Sequence, residues 1–209
     1  MNEITVYAIR TDTVRGLDLT ALRTAMPERA EKARRFRFEK DRLLCLGAGF
    51  LMMSALGIRR EDELRYGENG KPFVPGYPAF NLSHSGAWCA LAAGNVKQIG
   101  FDLEEINEAN TDIAAEVYTD AELAWMRGDP LNRFFQLWTW KESVMKAAGL
   151  GMNLVPRTFE VLPFVRGQSV QAAGGTWYAS GGTWDNCRFS VCADEPVGRV
   201  VWAETTGQN

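Results

Sequence analysis

Asp102 and Glu104 stand two residues apart in Gly100-Phe101-Asp102-Leu103-Glu104, and Glu142 and Lys146 stand four apart in Trp138-Thr139-Trp140-Lys141-Glu142-Ser143-Val144-Met145-Lys146. Side chains alternate along a strand, so the first pair shares one face. Two carboxylates side by side repel, and a cation is the simplest relief. On a helix, i and i+4 share a face, and Phe135, Trp138 and Met145 share it too, so these charges lie among aromatics. Each pair has a plainer reading: a polar strand end for Asp102 and Glu104, and for Glu142 and Lys146 an exposed pair worth roughly 0.2–0.5 kcal/mol. Burying unpaired charge is costly, which favours a site. Lys71 in the turn-rich Tyr66-Gly67-Glu68-Asn69-Gly70-Lys71-Pro72 and His84, the chain's one histidine, between Ser83 and Ser85, extend the set. Three hard carboxylates suit magnesium, which bridges to substrate phosphates. Lys71, Lys141, Lys146 and His84 suit the remaining phosphate oxygens. The chemistry expected is magnesium-dependent attack on a polyphosphate or pyrophosphate ester. The Lys71 loop is not a P-loop, because Pro72 stands where that motif needs a hydroxyl residue opening a helix.

The elements that must position these groups follow from periodicity and punctuation. Residues 3–10 alternate as a first strand. Pro27-Glu28 opens a helical pattern that runs to about Leu56 and stops at Gly57; its first half is basic, its second apolar nearly all round. A short strand breaks into Ser83-His84-Ser85-Gly86. Residues 87–93 and 96–104 read as a hairpin turning on Gly94-Asn95. Thr119 with Glu122 forms a capping box ahead of another helix. Residues 133–149 form a helix whose apolar stripes hold Phe134, Leu137, Trp140, Val144 and Ala148, and whose mildest face holds Gln136, Thr139 and Ser143. Beyond it, strands are expected at 158–165, 176–180, 187–193 and 199–204, with Gly-Gly-Thr-Trp at 174–177 and 181–184 as hairpin chemistry, and a frayed end at 205–209.

The chain's 209 residues suffice for one large domain or two small ones. A net charge of −3 argues against a nucleic-acid binder held by phosphate contacts. Met1 to Arg10 shows no secretory signal, and no apolar run reaches membrane-spanning length, so no membrane role is expected. Cys45, Cys89, Cys187 and Cys192 form no CxxC pair, which favours reduced thiols in a cytoplasmic protein over disulfides or zinc.

The chain resembles the Sfp-type 4′-phosphopantetheinyl transferases. The resemblance rests on Ala33-Arg34-Arg35-Phe36, Gly70-Lys71-Pro72, Phe80-Asn81-Leu82-Ser83-His84-Ser85, Gly100-Phe101-Asp102-Leu103-Glu104 and residues 138–149, in that order. It implies a monomeric α+β fold of two similar halves, 1–98 and 99–209, related by a pseudo-twofold axis with the active site between them. It implies transfer of the 4′-phosphopantetheine arm of coenzyme A to a serine of an apo acyl or peptidyl carrier protein, releasing adenosine 3′,5′-bisphosphate. By the same resemblance Asp102, Glu104 and Glu142 hold magnesium, and Glu142, Lys146 and Asp102 are catalytic. Arg29, Lys32, Lys71, Pro72, Ser83, His84, Lys141 and Lys146 contact coenzyme A. Family members commonly carry arginines where this chain has Leu44 and Gly49, which predicts weaker reading of the 3′-phosphate and its recovery in Leu44→Arg. Two other functions fit the fold: a carrier-binding module without catalysis, and a magnesium phosphohydrolase that breaks down coenzyme A without a carrier.

Overall fold

Ile4, Val6 and Ala8 of the opening strand β1 (Asn2–Arg10) are fully buried, and that alternation decides which face of its sheet looks inward. The structure is a computed structural model and describes residues 2–107 and 111–205, so Met1 and residues 206–209 of the expected frayed end lie outside the described residues. After β1 come α1 (Thr11–Gly16), α2 (Thr20–Ala25), α3 (Pro27–Arg35), α4 (Glu39–Leu56), β2 (Arg65–Tyr66), β3 (Pro72–Phe73), β4 (Ala79–Ser85), β5 (Trp88–Gly94) and β6 (Ile99–Glu105). Then follow α5 (Ala114–Val117), α6 (Asp120–Met126), α7 (Pro130–Ala147), β7 (Gln168–Ala172), β8 (Gly175–Trp184), β9 (Cys187–Ala193) and β10 (Val197–Glu204).

The fold is α+β. One four-stranded sheet has the order β10-β1-β5-β4, the other β6-β9-β8-β7. Their inner faces share a core of Ile4, Val6, Ala90, Phe101, Leu103 and Val191. Helix α4 covers the outer face of the first sheet through Leu43, Leu44, Leu51 and Met52, and α7 covers that of the second through Phe134, Leu137, Val144 and Met145. The layers run helix, sheet, sheet, helix.

Several sequence expectations need correction. The helical pattern from 27 to 56 is two helices, because the backbone at Phe36 and Phe38 is extended and Arg42 donates to the carbonyls of Phe36 and Arg37. Gly57 ends the second in the left-handed conformation, as expected for a helix C-terminus. Strands β5 and β6 are not a hairpin: β5 pairs with β1 and β4, β6 with β9. The amides of Lys97 and Gln98 donate to Asp194 and divert the chain into the second sheet. The last strand of the expected 99–209 half belongs elsewhere, since β10 pairs in parallel with β1. Residues 158–165 form no strand, while β7 was not anticipated. The second Gly-Gly-Thr-Trp lies within β8 rather than at a turn. Thr139 and Ser143, on the mildest face of the helix, are both fully buried.

Candidate active site

Gly100 is where α7 and β6 touch. A Cβ at this position would fall 1.9 Å from the carbonyl oxygen of Ser143 and 2.4 Å from the amide nitrogen of Ala147. Small groups on both sides permit the contact, and Ser143 Oγ lies 2.9 Å from Ser190 Oγ on β9. Because Asp102 sits two residues beyond Gly100, it faces α7, and Lys146 Nζ meets Asp102 Oδ1 at 2.6 Å. Ser83 Oγ donates to the same oxygen at 2.8 Å, and Lys146 Nζ also lies 3.3 Å from Ser83 Oγ. One strand turn on, Ser85 Oγ donates to Glu104 Oε2 at 2.6 Å. Elements from both sheets therefore meet here: β4, β6 and α7.

The electrostatics are those of crowded carboxylates. Burial first, then Asp102, pushes Glu104 up to about 7. Burial also raises Glu142, with Lys146 opposing it and Asp102 adding to it. For Lys146 burial works against the charge, but Asp102, Glu142 and Glu104 outweigh it and hold the ammonium above its ordinary value. His84 keeps one side to solvent, yet the surrounding protein and then Lys146 hold it below the ordinary histidine value.

The remaining expected residues are distributed differently. Lys71 donates to the carbonyl of Ala147 at 3.1 Å and to Gln98 Oε1 at 3.2 Å, and burial lowers it to about 8. It lines a cavity of about 510 Å³ with Pro72, Tyr77, Gln98 and Gly149. On the other side of Pro72 a groove of about 970 Å³ sets Arg29, Lys32 and Arg35 among Glu28, Glu31 and Glu61.

Lys141 is not at the site. Its side chain is fully buried, paired with Glu122 Oε2 at 2.9 Å and donating to the carbonyls of Pro156 and Phe159. The placement is a correction with a plain cause: one residue from Glu142, the helix has turned about 100°, away from β6. Leu44 also looks inward, 4% exposed in the first core, so an arginine there cannot reach the groove without breaking that core. Arg29 lies over Gly49, where a Cβ would come 2.7 Å from Arg29 Cδ, and its guanidinium turns to the carbonyl of Cys45 at 3.4 Å.

Residues 98–186 match the family described as the 4′-phosphopantetheinyl transferase superfamily. The matched segment makes up less than half of the chain. It carries Asp102, Glu104, Glu142 and Lys146, while Lys71, Ser83, His84 and the groove of Arg29, Lys32 and Arg35 lie upstream of it. The chain is 38% identical over 113 residues to 4′-phosphopantetheinyl transferase gsp of Aneurinibacillus migulanus, covering 52% of this chain and 47% of that protein. It is 32% identical over 146 residues to 4′-phosphopantetheinyl transferase Sfp of Bacillus subtilis, covering 65% of each. The chain thus spans from just under half to just under two thirds of the length of these relatives. A solved structure, the Thermotoga maritima holo-[acyl-carrier-protein] synthase, overlaps 46% of this chain and 61% of its own at a TM-score of 0.35 and 14% identity.

In this segment the donor set suits a hard cation, although among the described residues no three His, Cys, Asp or Glu side chains form a ready cage. Hydrogen bonds occupy part of the set. Asp102 Oδ1 is taken by Ser83 and Lys146, and Glu104 Oε2 by Ser85. Asp102 Oδ2, by contrast, is buried with no hydrogen-bond partner. A buried orphan carboxylate oxygen beside two further carboxylates of raised pKa is the environment that an oxygen-seeking dication relieves.

Sequence reasoning missed Asn81, Ser85 and Gly100 as functional positions. The signal was present: Asn81, Ser83 and Ser85 alternate at the strand period, which puts three polar groups on one face. Gly100, in turn, precedes a charged pair within a strand, where glycine marks close approach of another backbone.

Proposed function

We propose that the chain transfers the 4′-phosphopantetheine arm of coenzyme A to a serine hydroxyl of an apo acyl or peptidyl carrier protein, releasing adenosine 3′,5′-bisphosphate, with magnesium bound by Asp102, Glu104 and Glu142. The observation that carries this reading is the contact of Lys146 with Asp102 beside the orphan Asp102 Oδ2, in a segment matching the superfamily. The serine oxygen forms a bond to the pantetheine-bearing phosphorus, the pyrophosphate P–O bond breaks, and the electron pair leaves on the adenosine 3′,5′-bisphosphate. When bound, magnesium supplies positive charge to the pyrophosphate oxygens. Lys146 is held charged by its neighbours and presents that charge toward the breaking bond in a largely buried setting, where it counts for more than in water. Glu142, whose raised pKa suits proton uptake, or a water beside it accepts the serine proton. His84 and Ser83 line the phosphate side. The groove of Arg29, Lys32 and Arg35 receives the nucleotide end, with Pro72 forming its wall against the neighbouring cavity that Lys71 lines. A cytoplasmic location and a monomeric state complete the reading. Among the described residues no helix is long and apolar enough to cross a membrane.

The test is incubation with coenzyme A, magnesium and an apo carrier, read by intact mass. A carrier heavier by one phosphopantetheine supports transfer. Unchanged carrier with intact coenzyme A returns the chain to a binding module, and coenzyme A cleaved with no carrier modified makes it a phosphohydrolase.

A further inference from the structure

Strand β6 is an edge strand, and so is β4, each in its own sheet. An edge presents unpaired amides that are costly to bury. Here the free amides of β6 meet side chains rather than a strand. The Phe101 amide donates to Asn81 Oδ1 at 2.9 Å, the Leu103 amide to Ser83 Oγ at 3.3 Å, and the Glu105 amide to Ser85 Oγ at 3.0 Å. The spacing matches on both sides, 81, 83, 85 against 101, 103, 105. The row points inward because Asn81 and Ser83 lie opposite Ala92 and Ala90, both fully buried in the core between the sheets.

Two rungs of this row do a second job. A hydroxyl has one hydrogen to donate and lone pairs to accept with. In Ser83 and Ser85 the lone pair is taken by an amide of β6, so each hydroxyl hydrogen is aimed in a fixed direction. Ser83 aims at Asp102 Oδ1 and Ser85 at Glu104 Oε2. Gly86, next along, has φ +56°, and a Cβ there would lie 2.5 Å from the Glu105 carboxylate, so the strand end is closed tightly over this rung.

We propose that Ser85 is a positioning residue for Glu104, and that the Asn81–Ser83–Ser85 row sets the orientation of both β6 carboxylates from the opposite sheet. Its hydroxyl occupies Glu104 Oε2 and leaves Oε1 to face the cation. The proposal rests on the metal-dependent reading above, and the experiment separates the two.

The full chain is titrated with Mn²⁺ alone, followed by electron paramagnetic resonance, for the parent and for Asp102→Asn, Glu104→Gln, Ser85→Ala and Ser85→Thr. Ser85→Ala is expected to weaken Mn²⁺ binding about 10–100-fold, the usual loss when a group orienting a metal ligand is removed. Ser85→Thr keeps the hydroxyl and should bind within about threefold of the parent by the same reasoning. Should Ser85→Ala not fold, Ser85→Cys, similar in size and a weak donor, takes its place with the same expectation. Parent-like binding by the Ser85 variant that lacks the hydroxyl, with binding lost in Glu104→Gln, overturns the role of Ser85 and leaves the metal reading standing. Equal losses in Ser85→Ala and Ser85→Thr overturn it too. Parent-like binding by both Asp102→Asn and Glu104→Gln overturns the metal reading, and the role of Ser85 with it.

Discussion

The carbonyl oxygen of Ser143 occupies the space in which a side chain at Gly100 would begin. Gly100 is therefore a spacer that lets the backbone of α7 lie on β6, and this approach brings Lys146 to Asp102. Gly100→Ala is expected to force the two apart and to lower kcat/KM at least a hundredfold, since about 1 Å of misplacement costs roughly that much. Steady-state kinetics with coenzyme A and an apo carrier check it. Activity within threefold of the parent means that the helix has room to move.

Lys146→Ala should lower kcat by about two orders of magnitude or more, as expected when a charge aimed at the transition state is removed. Lys40→Ala, at an exposed position on α4, should stay within about twofold of the parent, in keeping with weak surface electrostatics. Similar small effects in both would reduce Lys146 to a structural partner of Asp102.

Lys141 and Glu122 give a prediction about stability instead. Lys141→Met leaves the Glu122 carboxylate buried beside the amides of Thr119 and Val161 without its cation. Breaking one side of a buried pair costs about 3–5 kcal/mol, or roughly 6–20 °C in Tm for a chain of this size. The double variant Lys141→Met, Glu122→Leu should recover at least part of that loss. A raised KM for coenzyme A in Lys141→Met with Tm unchanged would return the residue to the binding site.

The pH dependence of stability should carry a mark from Lys71. Its folded pKa, about 8, lies below the ordinary 10.5, so between these values the unfolded chain binds more protons than the folded one. Stability contributed at this position therefore rises as the pH climbs from about 8 to 10.5. Thermal melts of parent and Lys71→Met should diverge in that window, the parent gaining relative to the variant as the pH is raised. Parallel curves would place Lys71 in solvent.

Local chemistry was legible in the sequence where both partners are close along the chain. The Thr119 and Glu122 capping box forms as read, with Thr119 Oγ1 accepting from the Glu122 amide and Glu122 Oε2 from the Thr119 amide. Asp102 and Glu104 share a face, and all four cysteines are free and buried. What could not be read depends on remote partners. Lys141 looked like a site residue because Glu122, its counter-ion, lies on another helix, and residues 158–165 looked like a strand although the Phe159 carbonyl and the Val161 amide serve that same pair instead of a ladder. Gly94-Asn95 carried a hairpin signal, but the strands beside it had better partners in β1 and β9.

Strand β10 completes the first sheet from the far end of the chain, with Ile4 beside Val200 and Ala8 beside Glu204. A ribosome delivers β1 long before β10, so until residues 197–204 are made one flank of β1 has no strand to pair with. Contacts of such long sequence separation slow folding, and an exposed strand flank invites pairing with a neighbouring chain. The layer that supplies Ser83 and Ser85 to the β6 carboxylates is thus finished only after translation has passed residue 204. A nascent chain stalled at residue 190 holds every proposed ligand and binding residue, yet lacks the strand that closes the sheet behind them.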